Sequence, residues 1–436
     1  MRILYSFTLF LVCCSPILIP SQTNAQTGEY VSAQLGKRTD EALNLLQGKT
    51  IEAGIFDENF RNAVPPDQLR ALRQKISEQQ GQALDIVSIT SRGANSAIVK
   101  IRFEKSIGTM HLDLETAPPH RISGLLITGF EAAGDTIKDV VAAIDALPGR
   151  QGLIIQQLDG TGSRSPQVAL DPDGRYAIAS TFKLYILAEI DRAVQAGERQ
   201  WSDVVRLGPK SHPTGISQNW PDASPVTLHT LATLMISISD NSATDTLIRV
   251  IGQQQLARIV KAAGHHNPDE LRPFLMTRQV SVLKMPALRA QRERFLEANP
   301  ADRQNLLTQF DNILSLDSLD SRILTNRPNW IDQLEWFATP QDIIKLLDHL
   351  HRNASEETRA ILAINPGIGQ DSARKWNYFG YKGGSEPGVL SYGFLLQSRA
   401  GHHYAISIIW NNSEQSLQES DLLALTTRLV NLLAEQ

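Results

Sequence analysis

Apolar positions change their period along this chain, and the changes mark out its elements. Residues 39–47 open on a Thr-x-Glu start and predict a helix. Residues 67–81 predict a second, which stops where Gly81 breaks the pattern. Four apolar and β-branched runs follow, Leu84–Ile89, Ser96–Phe103, Gly108–Leu114 and Ile122–Phe130, separated by glycine or charged turns. That order predicts a small α+β unit. Helical spacing returns at 136–147, closed by Pro148-Gly149, and Leu153-Ile154-Ile155 starts another strand. Gly134 interrupts the pattern between Ala132 and Asp135, so the boundary is placed there, giving domains at 26–133 and 134–436. The second domain reads as one α/β unit. It has two strands, a long helical middle with a helical segment at about Pro286–Asp332, strands at 377–381, 389–397 and 403–410, and a final helix from about Glu419.

The first residues follow a different logic. Arg2, an apolar run from Ile3 to Cys14, Pro16, Pro20 and the small-residue stretch Thr23-Asn24-Ala25 predict a cleaved export signal over 1–25. The run is shorter than the ~20 residues a spanning helix needs, so no stable membrane span is expected once the signal is gone. A periplasmic or extracellular location follows. Both cysteines, Cys13 and Cys14, lie inside the signal, which leaves the mature chain without thiol catalysis, thiolate metal sites or disulfides. At 436 residues and a formal net charge of −4, with no basic cluster dense enough to track phosphates, the chain is expected to bind small molecules rather than nucleic acid. Nothing in the pattern fixes an oligomeric state.

Three short motifs carry the chemistry: Ser180-Thr181-Phe182-Lys183, Ser239-Asp240-Asn241 and Lys382-Gly383-Gly384-Ser385. Ser180 follows Tyr176-Ala-Ile-Ala and precedes an apolar helix, so it is expected at that helix's N-terminus with Lys183 one turn on, on the same face. A serine hydroxyl is a poor nucleophile near neutral pH, and a desolvated lysine with a lowered pKa is one way to activate it. The second motif falls at the joint between two helices, where Asp240 and Asn241 also suit helix capping. Glycines in the third let a strand backbone approach a bound group closely.

Together and in this order, the motifs resemble the active-site signature of class A β-lactamases and penicillin-binding proteins. The resemblance implies an acyl-enzyme at Ser180, with Lys183 as its base and Ser239 passing a proton to the leaving group. It further implies substrate contacts from Asn241, Lys382, Gly384 and Ser385, an oxyanion hole from the backbone N–H groups of Ser180 and Ser385, and neither cofactor nor metal. Two departures stand out. The family's usual Thr or Ser between Lys and Gly is Gly383, and the Glu-x-x-Leu-Asn loop is missing: Glu270 lies in the expected stretch without a following Leu-Asn. For the N-terminal domain, helices followed by an antiparallel sheet resemble the cone-shaped fold of steroid isomerase-like and nuclear transport factor-like domains. The combination is similar to the two-domain esterase-type proteins of clavulanic acid gene clusters. The expected substrate is therefore a small ester, amide or β-lactam, leaving open a β-lactamase with non-standard deacylation or a β-lactam-binding protein that does not turn over. The pairs His265-His266 and His402-His403 carry no metal-ligand spacing, and neighbouring residues on a helix or strand point apart. Trp220, between the first two motifs, suits either a site edge or core packing.

Overall fold

The computed structural model describes residues 32–49, 54–132, 134, 136–158, 166–314, 319 and 327–435, and the export signal expected at 1–25 lies outside them. The chain divides into two compact units, Met1–Thr136 and Ile137–Gln436.

The first unit places helices α1 (Ala33–Leu46), α2 (Glu58–Ala63) and α3 (Pro66–Gln80) before strands β1 (Ala83–Gly93), β2 (Ser96–Phe103), β3 (Ser106–Leu114) and β4 (Ile122–Ala132). The strands form an antiparallel meander in the order β1-β2-β3-β4. Period-two burial gives it an inner face: Ala97, Val99, Ile101 and Phe103 on β2 and Met110, Leu112 and Leu114 on β3 join Leu35, Ala42 and Leu46 of α1 in one core. Helix α1 starts six residues before the expected Thr39. Ser32 is the cap, accepting from Leu35 N, while the Thr39 hydroxyl donates back to Leu35 O within the helix. Helix α2, which the sequence pattern did not announce, is started by Asp57, whose carboxylate accepts from Phe60 N at 2.6 Å.

The second unit opens with α4 (Ile137–Asp145), β5 (Arg150–Leu158), β6 (Val168–Leu170) and β7 (Tyr176–Ala177). Its middle carries α5 (Lys183–Gln195), β8 (Val204–Arg206), β9 (Pro225–Thr227), α6 (Leu228–Ser237), α7 (Asn241–Ile251), α8 (Gln253–Ala262), α9 (Thr277–Leu283), α10 (Arg289–Glu297) and α11 (Pro300–Gln309). It closes with β10 (Phe337–Ala338), α12 (Pro340–Asn353), α13 (Glu356–Leu362), α14 (Gln370–Ala373), β11 (Tyr378–Glu386), β12 (Val389–Gln397), β13 (His403–Asn411) and α15 (Glu419–Ala434). The main sheet runs β11-β12-β13-β5-β6, antiparallel throughout.

Both faces of this sheet are covered, which is why its strands read as unbroken apolar runs. Leu153, Ile155, Ile406 and Ile408 pack with Val140 and Ile144 of α4 and Leu429 and Val430 of α15. The alternate residues Ile154, Ala405 and Ile409 join the larger core under α5, α6, α7 and α12. The segment expected to be helical from Pro286 to Asp332 breaks at Asn299-Pro300, where Asn299 caps α11, and residues 327–330 lie outside any helix. No helix among the described residues is long and apolar enough to cross a membrane.

Aromatic stacking anchors the start of α5. The Phe182 ring lies 3.8 Å from that of Trp336 at an interplanar angle of 10°, with Phe274 edge-on at 5.7 Å. Trp336 is buried, and its indole N–H donates to Leu275 O at 3.2 Å. Trp336→Ala is expected to destabilise the protein by ~3–5 kcal/mol, the range for emptying a buried aromatic site, read as a lower urea midpoint with unchanged slope.

Candidate active site

Ser180 sits in a 3₁₀ turn, Ala179–Phe182, that runs into α5, rather than on the α-helix itself. Ala179 holds a left-handed backbone (φ 40°), as does Ser239 (φ 57°). Non-glycine residues in that region persist only where surrounding contacts impose it, so the backbone is strained at the residue before Ser180 and at Ser239 itself. Ser180 is half-buried, while Lys183 has no exposed surface.

The Lys183 ammonium nitrogen reaches Ser239 O at 2.7 Å, Asn241 Oδ1 at 2.8 Å and Ser239 Oγ at 3.0 Å. The sequence reading placed it against the Ser180 hydroxyl. In the structure its hydrogen bonds go to the second motif instead. Lys382 joins the same cluster, with Nζ 3.1 Å from Ser239 Oγ and 2.5 Å from Gly383 O, and it is buried, so it is no exposed strand lysine. Burial pushes the Lys183 pKa well below the ordinary lysine value, and the neighbouring Lys382 charge lowers it further against the opposing pull of Asp245 and Asp240. Burial alone brings Lys382 down to about 7.

Neutral Lys183 has two N–H donors and one lone pair, which match its three neighbours. It can donate to Ser239 O and Asn241 Oδ1 and accept from the Ser239 hydroxyl. Ser239 Oγ then accepts from Lys382, so one continuous chain of hydrogen bonds links both lysines.

Asp240 holds the second motif in place. Its buried carboxylate accepts from Ile216 N, Ser217 N, Ser217 Oγ and Ala243 N at 2.6–2.9 Å, capping α7 and tying down the 214–217 loop. Gly215 is required there, because a Cβ would lie 2.4 Å from the Asp240 carboxyl. Trp220, in the same loop region, is half-buried against the large core.

The third motif lies on β11 and meets the first through its second glycine. A Cβ on Gly384 would stand 2.4 Å from Ile178 O and 2.5 Å from Ser180 N, so only glycine lets the strand lie against the Ser180 backbone. Ser385 is exposed beside it. Gly383 has its own reason: the Tyr381 hydroxyl occupies its outer side, 2.0 Å from where a Cβ would be. A hydroxyl-bearing side chain there would need the Tyr381 ring to move.

Three carboxylates escaped the sequence reading as parts of this neighbourhood. Asp245, one turn after Asn241 on α7, is fully buried; burial raises its pKa to about 6, and it accepts from Thr277 N, Thr277 Oγ1 and Arg278 N at the start of α9. Its i+4 spacing from Asn241 was the available signal. Glu335 and Glu386 both bind the buried Lys284, and nothing in their separation along the chain announces that pairing. Glu270, by contrast, is taken up in an ion pair with Arg175, whose guanidinium lies 3.4 Å from the centre of the Phe337 ring.

The histidine pair behaves differently from its sequence reading. His265 and His266 lie beyond α8, and their rings stack at 5.3 Å instead of pointing apart, with Asp342 beside both. The hydrogen bonds account for this group. His265 Nδ1 accepts from Asn267 N and its Nε2 bonds Phe337 O, while Asp342 accepts from His266 N, His266 Nδ1 and Thr339 N. The arrangement caps α12 and uses the atoms a metal would need.

Comparison with known proteins agrees with this geometry. A family model described as the beta-lactamase enzyme family matches residues 133–432. Among solved structures, the chain is similar to a beta-lactamase from Sphaerobacter thermophilus DSM 20745, with 24% identity and a TM-score of 0.46 over 69% of this chain and 94% of that one. It is also similar to PBP-A, at 16% identity and a TM-score of 0.46, over 69% of this chain and 95% of that one. A variant of a reconstructed Gram-negative class A ancestor gives 14% identity and a TM-score of 0.46, with 69% of this chain and 97% of that one covered. No curated protein matches the chain in sequence. The matched segment spans more than half of the chain and contains all three motifs, and the chain belongs to the beta-lactamase enzyme family.

Proposed function

We propose that this protein is an exported serine hydrolase that forms an acyl-enzyme at Ser180 on a small ester, amide or β-lactam. One observation carries the reading: Lys183 is wholly buried without a directly bonded carboxylate and is linked to Ser239 and Asn241 in a pattern that fits a neutral amine. A neutral lysine beside a serine is a base.

In this reading the Ser239 hydroxyl turns from Lys183 to the leaving group, which frees the Lys183 lone pair for the Ser180 proton as Oγ attacks the carbonyl carbon, and Ser239 then relays a proton from Lys183 to that group. Backbone N–H groups of Ser180 and Ser385 hold the developing oxyanion, at the contact that Gly384 makes possible. Lys382, with Ser385 and Asn241, binds the substrate and keeps the Ser239 hydroxyl polarised. An ester is the favoured class, because its leaving group departs and opens the acyl-enzyme to water, whereas a β-lactam keeps its ring remnant attached. Residues 1–25 direct export to the periplasm or beyond. The N-terminal helices and four-stranded sheet make the cone-like domain that, with the catalytic unit, resembles the esterase-type proteins of clavulanic acid gene clusters.

A p-nitrophenyl ester should be hydrolysed faster than a chromogenic cephalosporin, and Ser180→Ala should abolish both. Fast cephalosporin turnover dependent on Ser180 would make the protein a β-lactamase, and a permanent adduct would make it a binding protein. The acylation rate should follow a bell in pH. It rises as Lys183 loses its proton, at a pKa below the ordinary lysine value, and falls as Lys382 loses its charge at about 7. Stopped-flow measurement of the burst phase across pH checks both limbs. Gly384→Ala should slow that burst by on the order of 100-fold or more, the effect of losing one oxyanion donor, because the strand can no longer reach the Ser180 amide.

A further inference from the structure

Hydrolysis of an acyl-enzyme needs a base to activate water, and the Glu-x-x-Leu-Asn loop that would carry one is missing here. The strand that carries Lys382 and Gly384 offers another. Strand β11 pairs with β12 without a register break from Tyr378 to Glu386, so Lys382, Gly384 and Glu386 alternate onto one face. Two of these already mark what that face meets: Lys382 reaches Ser239 Oγ, and Gly384 abuts the Ser180 amide.

The partner strand gives a second, independent fix. Ser391 stands opposite Gly384 and bonds Thr181 Oγ1 at 3.0 Å, and Val389 stands opposite Glu386 and packs with Ala179, the residue before Ser180. Directly paired residues keep their Cβ atoms ~5 Å apart, so Glu386 flanks the nucleophile's turn. Its side chain is partly open to solvent, with 26% of its surface exposed, while both its oxygens lie 2.9–3.0 Å from Lys284 Nζ. Lys284 also binds Glu335, whose second oxygen, Oε2, is buried without a partner.

We propose that Glu386 is the base that activates water against the Ser180 acyl-enzyme, with Lys284 and Glu335 as positioning residues that fix its carboxylate. This rests on the acyl-enzyme reading above. Glu386 takes a proton from water as the water oxygen bonds the acyl carbon. The bond from that carbon to Ser180 Oγ then breaks, and Oγ takes the proton that Glu386 drew from water. The cycle balances: one water is consumed, one acid is released, and Ser180 and Glu386 return to their starting states. Burial and the nearby Glu386 charge raise Glu335 well above the usual carboxylate range.

The test is intact-mass spectrometry with stopped-flow kinetics on the whole protein and p-nitrophenyl acetate, comparing wild type, Glu386→Gln, Glu386→Asp and Ser180→Ala. The proposal expects Glu386→Gln to keep a burst of one equivalent, to slow deacylation 100-fold or more and to accumulate an acetyl adduct on Ser180, with Glu386→Asp between it and wild type. Wild-type deacylation rates in both Glu386 variants overturn it while leaving the Ser180 reading intact. Loss of the burst in Glu386→Gln together with a normal burst and normal deacylation in Glu386→Asp also overturns it, by assigning the residue a structural role. Absence of any burst in the wild type defeats the acyl-enzyme reading instead.

Discussion

The catalytic unit depends on one awkward fact: a lysine side chain, Lys183, is placed where water cannot reach it. An ammonium there loses its hydration, and an interior site supports the charge only when paired and hydrogen-bonded. The nearest charges do not provide that pairing, since Asp240 spends its carboxylate on the 214–217 loop and α7, and Asp245 spends its own on α9. Lys382 adds a second positive charge instead. What remains is a polar but uncharged cradle of Ser239 and Asn241 that suits the neutral amine, and the left-handed Ser239 is the backbone distortion that presents both its carbonyl and its hydroxyl to the same nitrogen.

The sheet supplies the complementary constraint. Gly384 brings β11 against the amide of Ser180, and the unbroken pairing with β12 carries that registration along the strand in both directions. A slip of one residue would turn Lys382 away from Ser239 and put a side chain against Ser180. The stack of Phe182 on Trp336 fixes the other side of the turn, one residue beyond Glu335. The Ser180 turn is thus held between a strand backbone and an aromatic pair, which accounts for how a strained Ala179 persists.

Much of this was legible in the sequence. The strands of both units appeared as runs because one face or both faces are buried, and the three motifs announced their residues because their chemistry needs fixed local spacing. Their partners were not legible. Lys183 bonding Ser239, rather than Ser180, depends on how α5 meets the joint of α6 and α7, which local spacing does not encode. The stacked His265 and His266 were misread because the chain leaves α8 before reaching them, and Thr39 was misplaced as a helix start because Ser32 supplies an earlier cap. Gly383 looked like a lost hydroxyl. The position of Tyr381, visible only once its ring is placed, shows that its hydroxyl fills the space a side chain there would take.

Two buried lysines in one unit make the electrostatic logic plain. Lys183 has no carboxylate bonded to it and is pushed toward the neutral form, whereas Lys284, equally buried, meets Glu335 and Glu386 and is held firmly charged. Desolvation acts on both in the same direction, so the opposite outcomes come from their partners. The two carboxylates differ in setting as well: Glu335 bears the burial, which raises it well above the usual carboxylate range, while Glu386 lies nearer to solvent beside Lys284. The uncharged cradle of Lys183 and the ion-paired setting of Glu386 are thus two contrasting environments in one unit, connected through the bond of Lys382 to Ser239 and the strand that runs from Lys382 to Glu386.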